Sequence, residues 1–248
     1  EAARIATQPY LWFLNNDMQI TQINTKEILK QFKENKDLFG ITTHIQRQQN
    51  NQPINESITI GYQKGGWFHA EVYTSYFPES QPTNNTPILW CCGGSMIVDT
   101  QKFKTLNGFD DKHFSPFYGE DLDLSYRAWQ QDWQCLYNNQ TKVIHQHQTT
   151  IKKHYSKRAI EKIAKTHTLL FIWKNCTSIP FLISHIITLL IKCLTFQIKD
   201  TQTILKALPY LPSIISYRKK RKKTIQSDTK ILSQFNCKAK KIQKKQKT

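Results

Sequence analysis

Tyr10-Leu11-Trp12-Phe13-Leu14 is a short, unbroken apolar run that stops on Asn15-Asn16-Asp17. A run of that length without alternation predicts a strand buried on both faces of a parallel sheet. Polar residues delivered at such a strand's C-terminal edge lie where ligands bind in open α/β sheets. The chain is therefore expected to be α/β, with Asn15 to Asp17 at the ligand edge.

The segments that follow fit this expectation. Thr25 reads as an N-cap for an amphipathic helix through Phe32, and Phe39-Gly40-Ile41-Thr42 as the start of another strand. Residues 47–87 are rich in Gln, Asn, Pro and Ser with aromatics between them, a composition that predicts long loops around a site. Ile88 to Cys92 reads as a buried strand that meets a close backbone approach at Gly93-Gly94. Thr100 is placed as the cap of a short helix that leaves at Gly108. Leu122 to Gln131 is expected to be helical, with short strands at Cys135-Leu136-Tyr137 and Lys142-Val143-Ile144. From Lys157 onward the pattern is helical. Ile179 to Ile198 reaches the length of a membrane span, about 20 residues, yet contains Ser184, His185, Lys192 and Gln197. In-plane or hairpin membrane association is expected rather than a span.

Charge divides the 248 residues unevenly. Residues 1–150 carry 12 Lys/Arg against 15 Asp/Glu, residues 151–198 carry 8 against 1, and residues 199–248 carry 15 against 2. The first part reads as an ordinary, slightly acidic globular unit, and the basicity belongs to an appendage seeking a polyanion. A nucleic-acid-binding domain would spread its cations over the folded part among aromatics, so no nucleic acid is expected as partner. An anionic membrane surface fits better. The six cysteines show no C-x-x-C spacing and no dense pairing pattern, which predicts a reducing compartment without structural zinc. No charged segment followed by an apolar core stands at the N-terminus, so no signal peptide is expected there.

Three separated signals carry chemistry. They are Asn15-Asn16-Asp17, then Gly108-Phe109-Asp110-Asp111 through Glu120-Asp121-Leu122-Asp123-Leu124 to Arg127, then His145-Gln146-His147. Asp17 at an open sheet edge can hold a hard divalent cation through carboxylate oxygen. Glu120-Asp121 stands just before a helix, where one carboxylate can face a cleft while backbone N–H groups tie the other. Adjacent carboxylates in a partly dry site repel, which keeps at least one basic enough to accept a proton. An imidazole from His145 can complete a mixed oxygen and nitrogen metal shell. These are the parts needed to displace a nucleoside diphosphate from an anomeric carbon through an oxocarbenium-like transition state. Taken singly, each signal is more often a turn, a helix-start charge pair or a surface histidine; their joint occurrence in this order favours a site.

The stretch from Gly93 to His147 resembles the C-terminal half of the catalytic domain of family 2 glycosyltransferases, particularly bacterial rhamnosyltransferase-like members. The residues that carry the resemblance are Gly108-Phe109-Asp110-Asp111-Lys112-His113-Phe114, Glu120-Asp121-Leu122-Asp123-Leu124 and Arg127. The run Leu14-Asn15-Asn16-Asp17 is similar to that family's variant of the Asp-x-Asp metal motif. The resemblance implies the distal half of a GT-A (Rossmann-like) mixed sheet with flanking helices, followed by a helical basic C-terminal region. It implies Asp121 as catalytic base and Glu120 as the group that positions donor or acceptor. It also implies Asp17 and His145 as ligands of Mg or Mn, and Asn15, Asn16, Gly93, Gly94, Asp110 and Arg127 as substrate-binding residues. The sequence departs from the pattern at Asn107 and Asp132, where Gly is usual, and at Asn138-Asn139, where Pro is common.

The implied activity is inverting transfer of a sugar, hexosyl or rhamnosyl, from a nucleotide-sugar donor to a glycan acceptor. The acceptor is expected to be polyprenyl-linked and to serve cell-surface polysaccharide synthesis. The expected organisation is a truncated catalytic domain over 1–155, membrane-associated apolar helices over 156–216, and a disordered basic tail over 217–248. The expected location is cytoplasmic, peripheral on the inner face of the cell membrane. The family's nucleotide-binding half is expected before residue 1, roughly 70 residues from the usual size of an α/β domain. A chain without it could bind donor poorly. A non-catalytic remnant or partner subunit that keeps acceptor and membrane binding is the competing expectation.

Overall fold

The computed structural model describes residues 2–49, 52–146, 150–195, 198–221 and 223–246. The first half runs α1 (Ala2–Ile5), β1 (Tyr10–Leu14), β2 (Met18–Gln22), α2 (Thr25–Glu34), β3 (Leu38–Gln49), β4 (Gln52–Asn55), β5 (Thr59–Lys64) and β6 (Trp67–Val72). Then come β7 (Ser95–Asp99), α3 (Thr100–Thr105), α4 (Asp111–Phe114), α5 (Glu120–Gln130) and β8 (Gln134–His145). The rest is helical: α6 (Thr150–His154), α7 (Lys157–Asn175), α8 (Ile179–Leu194), α9 (Ile198–Ala207), α10 (Leu211–Lys220), α11 (Asp228–Ser233) and α12 (Asn236–Lys245).

The main sheet is mixed, in the order β1-β7-β3-β8-β2, with β4 on the outer half of β3 and β5-β6 as a separate hairpin. Among the described residues only β3 and β8 run parallel; the other pairings are antiparallel. The three residues Asn15 to Asp17 connect the two outermost strands of this path, so the sheet curls and brings its edges together there. One face packs Ile28 and Phe32 of α2 over Leu38, Ile41, Ile97 and Leu136. The other face buries Val98, Leu124, Trp129, Leu170, Phe171, Phe235 and Ile242 in one continuous core.

Several expectations need correcting. β1 is an edge strand, antiparallel to β7 and half-buried, because the chain leaves it directly for the opposite edge. Residues 47–87 are not mainly loop: β4 and the β5-β6 hairpin lie within them, with Ile58, Ile60 and Phe68 in the core. Ile88 to Cys92 is buried but irregular, and the strand begins at Ser95. The two short strands expected around Leu136 and Val143 form one, β8, with a register shift against β3. The helix caps are Asn24 and Asp99 rather than the threonines after them, each accepting a backbone N–H through its side chain. The described residues 223–246 do not form a disordered tail: α11 and α12 place Ile231, Phe235 and Ile242, all fully buried, against the main core. The fold also explains two departures from the family pattern. Asn107 and Asp132 adopt left-handed φ values of 59° and 65°, a conformation Asn and Asp tolerate better than other side chains.

Candidate active site

The turn at Asn15 to Asp17 is fixed at both ends by backbone. Asn15 N–H donates to the Gly94 carbonyl at 3.0 Å, and Gln146 N–H donates to the Asp17 carbonyl at 2.8 Å. Met18 pairs in register with His145. Two strand edges thereby converge on one point. Asn15 and Asn16 are exposed beside it. Met18 also lies against Gly94, where a Cβ would come within 2.4 Å of its methyl group.

Within this corner Asp17 Oδ2 stands 3.3 Å from His145 Nε2, and Glu56 Oε2 stands 2.8 Å from His145 Nδ1. Arg47 pairs with the other Glu56 oxygen. The hydrogen bond to Glu56 raises the His145 pKa, against an opposing effect of burial. A carboxylate on Nδ1 is the partner that orients a metal-binding imidazole and turns Nε2 toward the ion. Asp17 Oδ1 is buried without a hydrogen-bond partner, an acceptor that a cation would satisfy. The donor set therefore fits Mg or Mn, which take few protein ligands and complete their shells with water and phosphate oxygen. Among the described residues no group of three His, Cys, Asp or Glu forms a ready-made cage. His147 lies outside the described residues.

The paired carboxylates enter α5 from a left-handed turn, with φ of 69° at Tyr118 and 98° at Gly119. Gly119 is required there, since a Cβ would approach the Phe114 ring to 3.0 Å. Asp121 Oδ2 accepts the Gly93 N–H at 3.1 Å, and Oδ1 accepts the Leu122 N–H at 2.8 Å. Burial raises the Asp121 pKa, and these N–H groups pull it back. Glu120 has a buried Oε2 with no partner. Burial first, and then the charge of Asp121, push its carboxyl up to about 7. The two titrate as a pair.

The strip Cys92-Gly93-Gly94 joins the two clusters. The Cys92 Sγ donates to the Glu56 carbonyl at 3.4 Å, and Asp121 and Glu56 both act on the thiol, whose pKa is raised mainly by burial. Asp121, Glu56 and Asn15 thus meet one short piece of backbone, and Asp17 follows Asn15 by two residues. Sequence reasoning missed Glu56: it sits in a segment read as loop, with no local signal.

Asp110 and Arg127 are not placed to bind substrate. Arg127 is buried, and its guanidinium is occupied by Asp123 and by the carbonyls of Leu106 and Gly108 at 2.6–2.8 Å. Asp110 caps α4, receives His113 Nδ1 at 2.7 Å and pairs with Lys174 Nζ at 2.6 Å, which holds its carboxyl well below the usual range despite burial. Lys174 also reaches Asp123 at 2.7 Å. This network fixes the backbone of the motif and does not include Glu120 or Asp121.

The curled mixed sheet with its flanking helices is a glycosyltransferase-like fold, as its likeness to solved structures and a partial sequence match show. Over 72 residues, 29% of the chain, the sequence is 31% identical to the N-acetylglucosaminyl-diphospho-decaprenol L-rhamnosyltransferase of Mycobacterium tuberculosis, in strains CDC 1551 / Oshkosh and ATCC 25618 / H37Rv. The match spans 23% of that protein. No family model matches the chain. Among solved structures, GalNAc-T7 with UDP, GalNAc and Mn2+ superposes with a TM-score of 0.50 at 12% identity, over 70% of this chain and 33% of that one. The mannosyltransferase PcManGT from Pyrobaculum calidifontis, in complex with GDP-Man and Mn2+, gives a TM-score of 0.41 at 10% identity, over 97% and 64% of the two chains.

Proposed function

We propose that the chain is the acceptor-side part of an inverting glycosyltransferase that moves a sugar from a nucleotide-sugar donor to a lipid-linked glycan acceptor. The observation that carries this is the Glu120-Asp121 pair at the start of α5, with Asp121 bonded to the Gly93 N–H and the adjoining Gly94 bonded to Asn15 beside the Asp17-His145 pair. Asp121 takes the proton of the acceptor hydroxyl as that oxygen attacks the anomeric carbon and the nucleoside diphosphate leaves from the opposite face. Its two N–H bonds fix the direction in which its remaining lone pairs point. Glu120 lies alongside and positions the sugar through its unpartnered oxygen. Asp17 and His145 would hold the divalent ion, Mg or Mn, which supplies charge neutralisation for a departing diphosphate. Asn15 and Asn16 supply exposed amides at the same edge, and Gly93 and Gly94 let the backbone approach the sugar.

The Mycobacterium tuberculosis relative is named for a diphospho-decaprenol substrate, and this supports a polyprenyl-linked acceptor. Exposed aliphatic side chains along α8, with the exposed cations Lys219 and Lys220, support peripheral attachment to the cytoplasmic face of a membrane. Among the described residues no helix is long and apolar enough to cross one.

The test is nucleoside diphosphate release from a panel of nucleotide sugars, with lipid extract as acceptor and Mn or Mg present. Asp121→Asn keeps size and shape while removing the proton acceptor, and should lower turnover by roughly 10²–10⁴-fold with donor affinity largely spared. Turnover near wild type for Asp121→Asn beside a dead Glu120→Gln would exchange the two roles. No release from any donor by the chain joined to a nucleotide-binding half would sink the reading.

A further inference from the structure

A hollow of about 310 Å³ lies where α3, α5 and α10 end together, and three cations, Arg127, Lys220 and Arg221, line it. Among the described residues no Asp or Glu does. Helix ends expose carbonyl oxygens that attract cations, and this accounts for part of the set. Arg127 is engaged by Asp123 and by the Leu106 and Gly108 carbonyls. Arg218, three residues before Arg221, donates to the carbonyls of Trp173 and Cys176 at 2.9 and 2.8 Å.

Arg221 is left over. It is half-buried, and among the described residues its guanidinium meets only the Lys174 carbonyl, at 3.4 Å. Burial, and then the charge of Arg218, pull its pKa below the usual arginine value, and the opposing pull of Asp228 is smaller. A cation taken partly out of water without a carboxylate is costly unless an anion joins it. Lys220 precedes it in the chain and lines the same hollow with its side chain exposed. Neutral donors adjoin these cations: the hydroxyls of Thr105 and Tyr217 and the amide of Asn107. The Tyr217 hydroxyl has no hydrogen-bond partner among the described residues, and the Lys174 ammonium lies 4.6 Å from the centre of its ring.

We propose that this hollow binds a small phosphate-bearing anion, free phosphate or diphosphate, on Arg221 and Lys220. A guanidinium fork meets two oxygens of such an anion at once, an ammonium takes a third, and hydroxyl and amide groups donate to the rest. The volume stands at the low end of the about 300–1,000 Å³ of small-molecule sites, which suits a diphosphate better than a whole nucleotide sugar. Bound there, the anion ties α10 to the wall that holds Arg127, about 9 Å along α5 from Asp121. It thereby braces the buried network of Asp110, Asp123 and Lys174 from outside. The site is apart from the Glu120-Asp121 pair, and the proposal stands whether or not the chain transfers sugar.

Calorimetric titration of the full chain with inorganic pyrophosphate tests this, at fixed ionic strength and without divalent cations, so that the Asp17-His145 corner has no ion to draw a diphosphate. One pyrophosphate should bind per chain and raise the melting temperature, as a ligand of the folded state does, while chloride at matched ionic strength should not. Arg221→Gln should weaken binding roughly tenfold or more, as for loss of a charged hydrogen bond, and Lys220→Gln should weaken it in the same direction. Lys240→Gln, which removes an exposed charge from α12, should leave it unchanged. Lys220 is exposed, so its variant decides the matter even where Arg221→Gln melts early. Equal binding by wild type and all three variants would overturn the proposal, and the cations would then serve the helix ends alone. Displacement of pyrophosphate by vesicles of anionic phospholipid would overturn it too, by making the occupant a membrane headgroup.

Discussion

Glu120 and Asp121 hold two carboxyl groups in a half-buried place that favours only one charge, and this has a consequence for stability. The Glu120 carboxyl sits near 4.5 in an ordinary setting and is pushed up to about 7 by burial and by Asp121. Between those values the folded chain binds a proton that the unfolded chain has released, so this pair makes the fold less stable as pH rises from about 4.5 to 7. Glu120→Gln removes the ionisation, and should stabilise the protein at pH 8 by on the order of 2–3 kcal/mol while changing little at pH 4.5. Thermal melts of both proteins across that range check it, and parallel curves would contradict the environment assigned to Glu120. The same residues show what a sequence can disclose. Glu120, Asp121, Asp17 and His145 are nameable because each stands at a strand end or helix start, where local pattern fixes direction. Asp110 and Arg127 stand in the same motif, but Lys174, more than 45 residues on, and Asp123 determine what they do. That partner follows the apolar run Leu169 to Trp173 in α7, and a lysine placed directly after such a run is the local hint.

α8 shows how an element's length and composition under-determine its role. Its inward side sets Phe181 and His185 against the core, with His185 Nδ1–H donating to the Gly66 carbonyl at 2.7 Å and Nε2 accepting the Trp173 indole N–H at 3.0 Å. Its outward side exposes Ile179, Ile183, Ile186, Ile187, Leu190 and Leu194 by 51–77%. Of the polar residues that interrupt the sequence, His185 and Lys192 thus turn toward the protein, while the large apolar side chains face out. At 16 residues the helix is about 24 Å long, short of a bilayer's hydrocarbon core. It is suited to lie in the interface plane. Replacing Ile183, Ile187 and Leu190 together by Ser should remove roughly 1.5–3 kcal/mol of burial per side chain from membrane binding. The melting temperature should stay, since these groups touch little protein. Co-sedimentation with anionic vesicles at low and high salt measures it. Retained binding would place attachment elsewhere, and a monomer-dimer shift on substitution would make the face a contact between copies.

At the scale of the molecule, charge blocks mislead because they count side chains without asking which way each points. The last 50 residues carry 15 Lys/Arg, which reads as a solvated tail. Yet Phe235, Ala239 and Ile242 recur at helical spacing and face inward, with Ile231 and Leu232 just before them. Phe235 packs edge-on against Trp129 of α5 at 6.2 Å between ring centroids. Asp228 accepts the Tyr126 hydroxyl at 2.9 Å and the Thr177 and Ser178 N–H groups at 2.6 and 2.8 Å, and Ile225 N–H donates to the Gln130 carbonyl. The C-terminal helices thus hold one end of α5, while the other end presents Glu120 and Asp121. Truncating a fully buried aromatic side chain costs about 3–5 kcal/mol, because the lost transfer energy is joined by a cavity. Phe235→Ala should therefore lower unfolding free energy by about that amount in urea, followed by tryptophan fluorescence, which reports on Trp129 at the contact itself. A tail in solvent would give a change under about 0.5 kcal/mol, the range for surface substitutions. A result that small would detach α11 and α12 from the core and return the basic segment to an independent appendage.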